Sequence, residues 1–238
     1  MLNEKEVRRD CLKISIKFKN RNKRSTRFTV YGKGIGIYSY NAIMNEDSDC
    51  CQFIYVHDAG INHIVLKATE DNKQCTLLIT SPYHLVGFII NDQNLIIDFN
   101  GLHFCSNLRY LSIKNTDSIV SFYDLAGCDS LRRLEVDNTN CASDIYLLSG
   151  FKDLMWVSMD NTKCTGNISH ISKLKKLWRF SATNASVYGD LSKINCPEIE
   201  KIKLDGTLCT GDFNKFINDN HNLSELKIGQ YNYRRDSE

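Results

Sequence analysis

The sequence lacks the features by which membrane and secreted proteins are usually recognised. No apolar run approaches the roughly 18 residues needed to span a bilayer. The opening MLNEKEVRRDCLKISIKF has neither the apolar core nor the small-residue cleavage site of a secretory signal. We therefore expect a chain that stays in the cytoplasm of the producing cell and has no membrane partner. The Asn-x-Ser sequons at Asn167, Asn184 and Asn222 carry little weight there, because glycosylation needs a secreted protein.

An excess of one charge is also nearly absent, since the formal net charge is only +2. The exception is the N-terminus, where ten Lys and Arg but only three acids fall within the first 27 residues. Such a cluster can attract phosphate or an acidic protein surface; the alternative is a solvated strand and turn. Few aromatic residues are interleaved with these cations, so the pattern does not favour single-stranded nucleic acid as a partner.

Motifs for metal binding and catalysis are missing as well. The ten cysteines include no C-x₂-C pair, and the adjacent Cys50 and Cys51 would point to opposite faces of a strand. The six histidines recur in no register with the cysteines, so no Cys–His nucleophile is predicted. The glycines of GKGIG at 32–36 lack the Lys-Ser/Thr of a phosphate loop and fit a hairpin better. We expect no cofactor, no metal and no catalytic residue, and hence no enzyme.

What the sequence does contain is an internal repeat that begins at Leu85. Repeats of this length predict a solenoid, in which each unit buries its apolar side only by stacking on the next. A final half unit begins at Leu223. The full units span 85–107, 108–130, 131–153, 154–176, 177–198 and 199–222, with lengths of 23, 23, 23, 23, 22 and 24 residues.

Each unit carries two apolar rows. Positions 1, 4 and 6 are apolar, and the step of two between positions 4 and 6 is strand periodicity. A polar pair such as Asn138 and Thr139 then turns the chain. Positions 15 and 18, for example Ile145 and Leu148, predict a short helical or 3₁₀ turn on the opposite side. The residue before each of these turns can cap it by accepting from free amides: Asp98, Ser121, Asp144, Asn167, Asp190 and Asp212.

These units resemble the leucine-rich repeat family, whose pattern opens L-x-x-L-x-L-x-x-(N/T). The steps TGN, YGD and TGD, at 165–167, 188–190 and 210–212, are similar to the G-x-I and G-D-I continuations of plant-type and bacterial or phage repeats. The resemblance covers about 150 of the 238 residues. It implies an α/β repeat solenoid with a parallel sheet on its concave face and short helical, 3₁₀ or extended segments on its back.

The repeat also explains most of the cysteines. Position 11 reads Leu95, Ser118, Cys141, Cys164, Val187 and Cys209, and position 21 reads Cys105, Cys128, Phe151 and Leu174. A slot that otherwise holds Leu, Val or Phe is an apolar core slot, and a buried thiol packs as a small hydrophobe. Neighbouring coils lie about 4.8 Å apart, which allows a disulfide's backbone separation, but parallel side chains suit its dihedral angle poorly. We expect reduced thiols in the core.

Residues 1–84 do not follow the repeat, and we predict that they form a small, mostly antiparallel β domain that caps the solenoid of residues 85–238. Strand-like alternation at 11–18 and 27–40 predicts a hairpin around the basic loop KNRNKRS. A second hairpin is predicted at 61–80. No C-terminal cap is visible, so we expect the last half unit to be covered by the tail or by another subunit. An oligomer or larger assembly can then form through either end.

The candidate binding surface is the predicted concave face, onto which positions 3, 5 and 7 point. It combines Trp, Tyr and Arg, the residue types most often found as binding anchors, with a column of acids. This face can grip a peptide strand, a loop or a sugar; the alternative is a solvated face whose cations stack on Trp156 and pair with acids. The candidate binding residues are Tyr110, Arg133, Glu135, Asp137, Trp156, Asp160, Arg179, Lys201 and Lys203.

The resemblance implies a non-enzymatic protein-binding or structural module, although a shared fold is a weak guide to the partner. G-D-I repeats behind a small β domain are similar to proteins of gut Bacteroidetes and their phages. The leading hypothesis is therefore a bacteriophage virion protein (fibre, decoration or tail accessory) that binds other virion subunits or a host or bacterial protein. The alternatives are an intracellular bacterial scaffold, an adhesin-like protein that recognises a protein or a glycan, and, more remotely, an effector enzyme.

Overall fold

A computed structural model describes residues 11–19, 25–40, 42–44, 53–56, 60–68 and 74–235. Over these ranges the chain is built mainly from strands, with short helices between them. None of the helices in the described ranges is long and apolar enough to cross a membrane. The basic residues before position 11 and the Cys50–Cys51 pair lie outside the described residues.

Successive strands at the N-terminal end alternate between two sheets. In chain order they are β1 (Leu12–Phe18), β2 (Ser25–Gly32), β3 (Ile35–Tyr40), β4 (Ala42–Met44), β5 (Phe53–Val56), β6 (Gly60–Ala68), β7 (Gln74–Thr80), β8 (Leu85–Asn91) and β9 (Leu95–Asn100). The odd-numbered strands form one sheet in the order β5-β3-β7-β1-β9, and the even-numbered strands join a second sheet in the order β4-β6-β2-β8. The pairings among these strands are antiparallel. The chain thus crosses from sheet to sheet at each connection, as it does in the coils that follow.

The two hairpins predicted in this region are wrong. β1 pairs with β7 and β9, whereas β2 pairs with β6 and β8, so β1 and β2 lie in different sheets. β6 and β7 are separated in the same way, and so are β2 and β3, which the glycines of GKGIG join. The reason is that Ile14 of β1 and Phe28 of β2 both belong to one buried core, and two sheets enclose such a core better than one hairpin. The centres of the two predicted hairpin loops, 20–24 and 69–73, lie outside the described residues.

The repeat units form the predicted parallel ladder. Their strands are β10 (Tyr110–Lys114), β11 (Arg133–Glu135), β12 (Trp156–Ser158), β13 (Thr165–Asn167), β14 (Arg179–Ser181), β15 (Ser186–Asp190), β16 (Lys201–Lys203), β17 (Leu208–Thr210), β18 (Glu225–Ile228) and β19 (Tyr231–Arg234). From β8 the long sheet continues through β10, β11, β12, β14, β16 and β18, in parallel and with equal repeat positions paired. β13, β15 and β17 form a small parallel sheet of their own. The repeat-solenoid prediction is confirmed.

The back of each coil carries a short helix, as positions 15 and 18 predict. The 3₁₀ helices span Pro82–His84, Leu102–Phe104, Phe122–Leu125, Ile145–Gly150, Ile168–Lys173 and Leu191–Lys193, and one α-helix, α1, spans Phe213–Asp219. Their caps are the predicted Ser121, Asp144, Asn167, Asp190 and Asp212, whose side chains accept from backbone N–H groups. Asp98 is the exception. It continues β9 opposite Ser15 of β1, and Gly101 precedes the helix with no side-chain cap.

A ladder of asparagines runs along one edge of the long sheet. Asn115, Asn138, Asn161 and Asn184 have φ values of 55°, 55°, 55° and 58°, in the left-handed region that Asn tolerates better than most residues. The Nδ2 of each donates to the Oδ1 of the asparagine one coil earlier, at 2.6–2.7 Å, with Asn91 at the start. The turn that follows each strand is therefore held both by its own backbone conformation and by its neighbours.

The core is continuous from Leu12 to Ile228 and contains the repeat cysteines. Cys105, Cys128, Cys141, Cys164 and Cys196 are fully buried, and Cys209 is 8% exposed, which confirms the prediction that they fill the core. The two sulfur atoms of Cys141 and Cys164 lie 3.4 Å apart on neighbouring coils. Burial raises the pKa of Cys128 and Cys196 to about 12.

The C-terminal tail covers the last half unit, one of the two outcomes that the sequence allows. β19 folds back antiparallel on β18, and Tyr231 and Tyr233 pack against the core. Leu223 and Leu226 are fully buried as a result. The division at residues 84 and 85 stays a prediction; both sheets run across it without interruption.

Candidate binding face

The centre of the outer face of the long sheet is a stack of three side chains. We call this surface, formed by positions 3, 5 and 7, the outer face. Trp156 of β12 is paired in register with Arg133 of β11 on one side and Arg179 of β14 on the other. Their Cζ atoms lie 3.8 Å and 4.4 Å from the centroid of the indole ring, within the range of cation–π attraction. Trp178 meets Trp156 edge to face, with ring centroids 5.1 Å apart. The parallel register thus assembles side chains that are 23 residues apart in the sequence.

Glu135 lies beneath this stack and is ionised by its neighbours. Its side chain is 5% exposed and accepts from Lys114 Nζ at 3.0 Å and from an Arg133 Nη atom at 2.9 Å. Burial raises the pKa of Glu135, but the hydrogen bonds and charges of Arg133 and Lys114 outweigh it, so the pKa lies below its ordinary value. Glu135 therefore acts as a buried anion that bridges two cations from neighbouring coils.

Asp137 and Asp160 connect neighbouring coils along the same edge of the sheet. Ser158 Oγ donates to Asp137 at 2.6 Å, and the Asp160 backbone N–H donates to the same carboxylate oxygen at 2.9 Å. Ser181 Oγ repeats the contact with Asp160 one coil later, at 2.6 Å. Burial raises the pKa of Asp137 above its ordinary value despite these hydrogen bonds. These carboxylates hold coils together through one oxygen each, Oδ1.

Some cations at the C-terminal end of the outer face are paired with a carboxylate, and others are not. Lys203 and Lys227 lie opposite each other on β16 and β18, and both reach one oxygen of Glu225, at 3.6 Å and 3.8 Å. Arg179 and Lys201 also lie opposite each other, on β14 and β16. In the described part of the chain, neither of these two has a carboxylate oxygen within 4.0 Å.

Three buried N–H donors in the stack lack an acceptor among the described residues: Arg133 Nε, Trp156 Nε1 and Arg179 Nε. A buried donor without a partner costs roughly 1–3 kcal/mol. Three such donors in one stack call for an explanation, and an ordered water or a bound partner would each supply an acceptor.

The structure brings most of the predicted residues together, with one exception. Arg133, Glu135, Trp156 and Arg179 are in contact, Asp137 and Asp160 border them, and Lys201 and Lys203 follow on β16. Tyr110 lies apart, with its ring 6.3 Å from that of Tyr31 on β2, where the solenoid meets the N-terminal strands.

A groove beside the stack escaped the sequence analysis. It has a volume of about 540 Å³ and is lined by Met155, Lys175, Lys176, Trp178, Glu198 and Glu200. Met155 and Trp178 occupy position 2, which the alternation of the strand does not assign to the outer face. An available signal was the recurrence of large apolar residues at position 2 in two neighbouring units. Met155 is 37% exposed, and the groove therefore offers an apolar floor next to the cations.

Metal chemistry finds no support in the described ranges, where no group of three or more His, Cys, Asp or Glu side chains could hold a metal ion. The absence of catalytic residues stays a prediction.

Comparison with known proteins yields structural likeness at low sequence identity. No family model and no curated protein matches the chain. Internalin C2 from Listeria monocytogenes str. 4b F2365 is 16% identical with a TM-score of 0.45, over 63% of this chain and 75% of that one. The leucine-rich repeat ectodomain of the receptor kinase SOBIR1 from Arabidopsis thaliana is 14% identical with a TM-score of 0.47, over 71% and 80%. A chain of the BIR3–SERK2 complex from Arabidopsis thaliana is 20% identical with a TM-score of 0.40. The match covers 49% of this chain and 65% of that one, which is just under two thirds.

Proposed function

We propose that this leucine-rich repeat solenoid is a non-catalytic module that captures another protein on its outer face. The observation that carries the proposal is the stack of Trp156 between Arg133 and Arg179, with its three donors that lack acceptors. Trp and Arg dominate the binding energy of protein interfaces. Side chains that are already stacked lose less conformational entropy when a partner arrives, which favours binding over a merely solvated face.

The size of the outer face supports a protein as the captured molecule. The strands from β8 to β18 present a surface of roughly 30 Å by 20 Å, on the order of 600 Å². Each partner in a standard protein interface buries roughly 800 Å². A small molecule would cover only a fraction of this area, and the described part of the outer face is a shallow surface rather than a closed cavity.

The test is capture of a partner by the full-length chain and by the double variant Trp156→Ala/Arg133→Ala. The proteins are immobilised, and the material retained from an extract of the producing cells is quantified by mass spectrometry. A matched control, Tyr123→Ala/Lys173→Ala, removes one exposed aromatic and one exposed cation from the back of the coils. Urea unfolding shows that each variant is folded.

We expect the control to retain the same partner as the wild type, and the double variant to retain at least tenfold less. Equal retention by the two variants would mean that the partner binds elsewhere, and the proposal would be abandoned.

A narrower form of the proposal is that the partner is another subunit of a bacteriophage virion, and that the chain leaves the cytoplasm of the producing cell inside a particle. It rests on the resemblance of the repeats to G-D-I repeats and on nothing else. Mass spectrometry of washed, purified particles tests it. Absence of the chain from the particles would reject the virion assignment and leave the capture proposal unaffected.

A further inference from the structure

The cross-strand cation pairs of the outer face point to an acidic, extended polypeptide segment as its partner. We infer that a carboxylate of that segment binds between Arg179 and Lys201, and that a neighbouring apolar side chain enters the groove over Met155 and Trp178. This inference rests on the proposed function and names the class of partner.

The chain itself provides the template for such a site. Lys203 and Lys227 lie directly opposite each other on neighbouring strands, and Glu225 bridges them. Like charges that face each other across a sheet are destabilising, and one carboxylate between them reverses the sign of the interaction. Lys114 and Arg133 are also on neighbouring strands, at repeat positions 7 and 3 rather than directly opposite, and Glu135 bridges them.

Arg179 and Lys201 are opposed in the same way, and no carboxylate of the described residues bridges them; Glu225 lies opposite Lys201 on its other side but not within 4.0 Å of its charged end. Both residues occupy position 3, directly opposite each other on β14 and β16. In the described residues no carboxylate lies within 4.0 Å of either cation, and Arg179 Nε is one of the donors without an acceptor. A carboxylate from outside the chain would relieve the repulsion and can make charge-assisted hydrogen bonds with both cations.

Charges on this face are layered, so that an arriving molecule meets cations first. The side chains of Glu135 and Glu225 are 5% and 13% exposed, because they lie low and their own cations cover them. The side chains of Arg133, Lys227 and Arg234 are 39%, 30% and 67% exposed. Long cationic side chains extend past the shorter acids and keep their charged ends in water. At Glu135 and Glu225 the exposed charges are therefore the cations, which attract an arriving anion.

The ligand is a polypeptide rather than a nucleic acid. Binding of single strands relies on bases that stack on open aromatic faces, and the ring of Trp156 is covered by Arg133 and Arg179. Asp137 and Asp160 lie along the same face and would repel a continuous row of phosphates. A peptide can place one carboxylate at the vacant pair and turn uncharged residues toward the acids.

The groove indicates which kind of side chain the ligand has next to its carboxylate. The ring of Trp178 lies 5.1 Å from that of Trp156, so the groove borders the stack that contains Arg179; two lysines and two glutamates complete its lining. An apolar residue buried there gains free energy in proportion to the apolar surface that it removes from water. We therefore expect an acidic motif that contains at least one large apolar residue.

The experiment uses fluorescence anisotropy of a fluorescein-labelled dodecapeptide of Glu and Gly with one central Leu, titrated with the full-length protein. A second peptide has Gln in place of Glu, a third has Gly in place of Leu, and a thymidine dodecamer serves as the phosphate-bearing probe. The protein variants are Arg179→Gln/Lys201→Gln and, as a control of equal charge change, Lys163→Gln/Lys173→Gln on exposed positions of the coil that precedes Arg179. Urea unfolding monitors the fold of each variant.

We expect the Glu peptide to bind at least tenfold more tightly than the Gln peptide, and Arg179→Gln/Lys201→Gln to lose at least tenfold in affinity while the control loses less than threefold. Removal of the Leu should weaken binding severalfold. Because Arg179→Gln also removes the cation–π contact with Trp156, the first variant should unfold at a slightly lower urea concentration than the wild type and still be folded under the binding conditions.

Two results would overturn the inference. One is equal affinity of the two protein variants for the Glu peptide. The other is tighter binding of the thymidine dodecamer with the same loss in Arg179→Gln/Lys201→Gln, which would assign the pair to phosphate. If the peptides fail but capture still depends on Trp156 and Arg133, the outer face binds a partner of different chemistry and the proposed function stands.

Discussion

Replacement of Asn138 separates two contributions to the stability of a coil. Asn138 has φ of 55°, donates to Asn115 at 2.6 Å and accepts from Asn161 at 2.7 Å. Asn138→Ala removes both hydrogen bonds, worth about 0.5–1 kcal/mol each at a partly exposed site. It also places a Cβ without polar compensation in the left-handed region, which costs roughly 1–2 kcal/mol. We expect a total loss of about 2–4 kcal/mol.

Asn138→Gly removes the same hydrogen bonds but keeps a residue that adopts the left-handed conformation without strain. The greater freedom of Gly in the unfolded chain offsets part of this benefit, by roughly 0.4–1 kcal/mol. We therefore expect Asn138→Gly to be more stable than Asn138→Ala by about 1 kcal/mol and less stable than the wild type by about 1–3 kcal/mol.

The measurement is urea unfolding followed by circular dichroism and tryptophan fluorescence, with coincident transitions and equal slopes required before free energies are compared. Asn140→Ala is the matched control, because Asn140 is two residues away, outside the ladder and without a positive φ. It should change the free energy of unfolding by less than about 0.5 kcal/mol. If Asn138→Ala were no worse than this control, both the ladder and the conformational argument would fail. A glycine variant as stable as the wild type would reject the ladder alone.

Three further experiments address the core, the buried acids and the glycine positions. Cys141 is fully buried, so it should resist a bulky maleimide in the native protein and react within minutes in urea; rapid native labelling would contradict the coil packing. The folded pKa of Glu135 lies below its ordinary value, so its stabilisation is present above the unfolded value of 4.5 and is lost as the pH falls through the folded value. Glu135→Gln should therefore flatten the acid limb of a stability–pH curve. The folded pKa of Asp137 is raised, so its contribution is lost as the pH rises, and Asp137→Asn should be at least as stable as the wild type at neutral pH. Gly189→Ala puts a Cβ 2.6 Å from a side-chain oxygen of the preceding coil at φ 119°, whereas Gly150→Ala meets nothing within 4 Å; calorimetry should show a loss of more than about 1 kcal/mol for the first and less than about 0.5 kcal/mol for the second.

The repeat region was predictable because its signals are local and recur. Most coils repeat the strand at positions 4 and 6, the turn at Asn and the cap before position 15, so the pattern does not depend on any single unit. Asp98 shows the limit of this reasoning. A carboxylate before an apolar pair is typical of a helix cap, but here the strand continues because β1 lies beside it and accepts the pairing.

Most of the N-terminal strands lie within the stretches that the sequence predicts, but their partners were not predicted, and 27–40 proved to contain two strands, β2 and β3. Alternation of apolar and polar residues, as in β1 and β2, shows that a segment is a half-buried strand, and it carries no information about which strand lies beside it. The choice between a hairpin and two opposed sheets depended on how the first coil, β8 and β9, had to be covered. That requirement involves residues more than 60 positions away.

Sequence alone was sufficient for the class of fold, the burial of the thiols and the identity of the residues on the outer face, because each follows from a period in the chain. Only the three-dimensional packing decided which of these side chains contact one another, and those contacts make the face a candidate site. The register between strands set Arg133 and Arg179 on either side of Trp156, and it left one cation pair bridged by Glu225 and the neighbouring pair without a bridge. Such pairing depends on distances between coils and on how far each side chain reaches, and neither quantity is encoded in the repeat pattern.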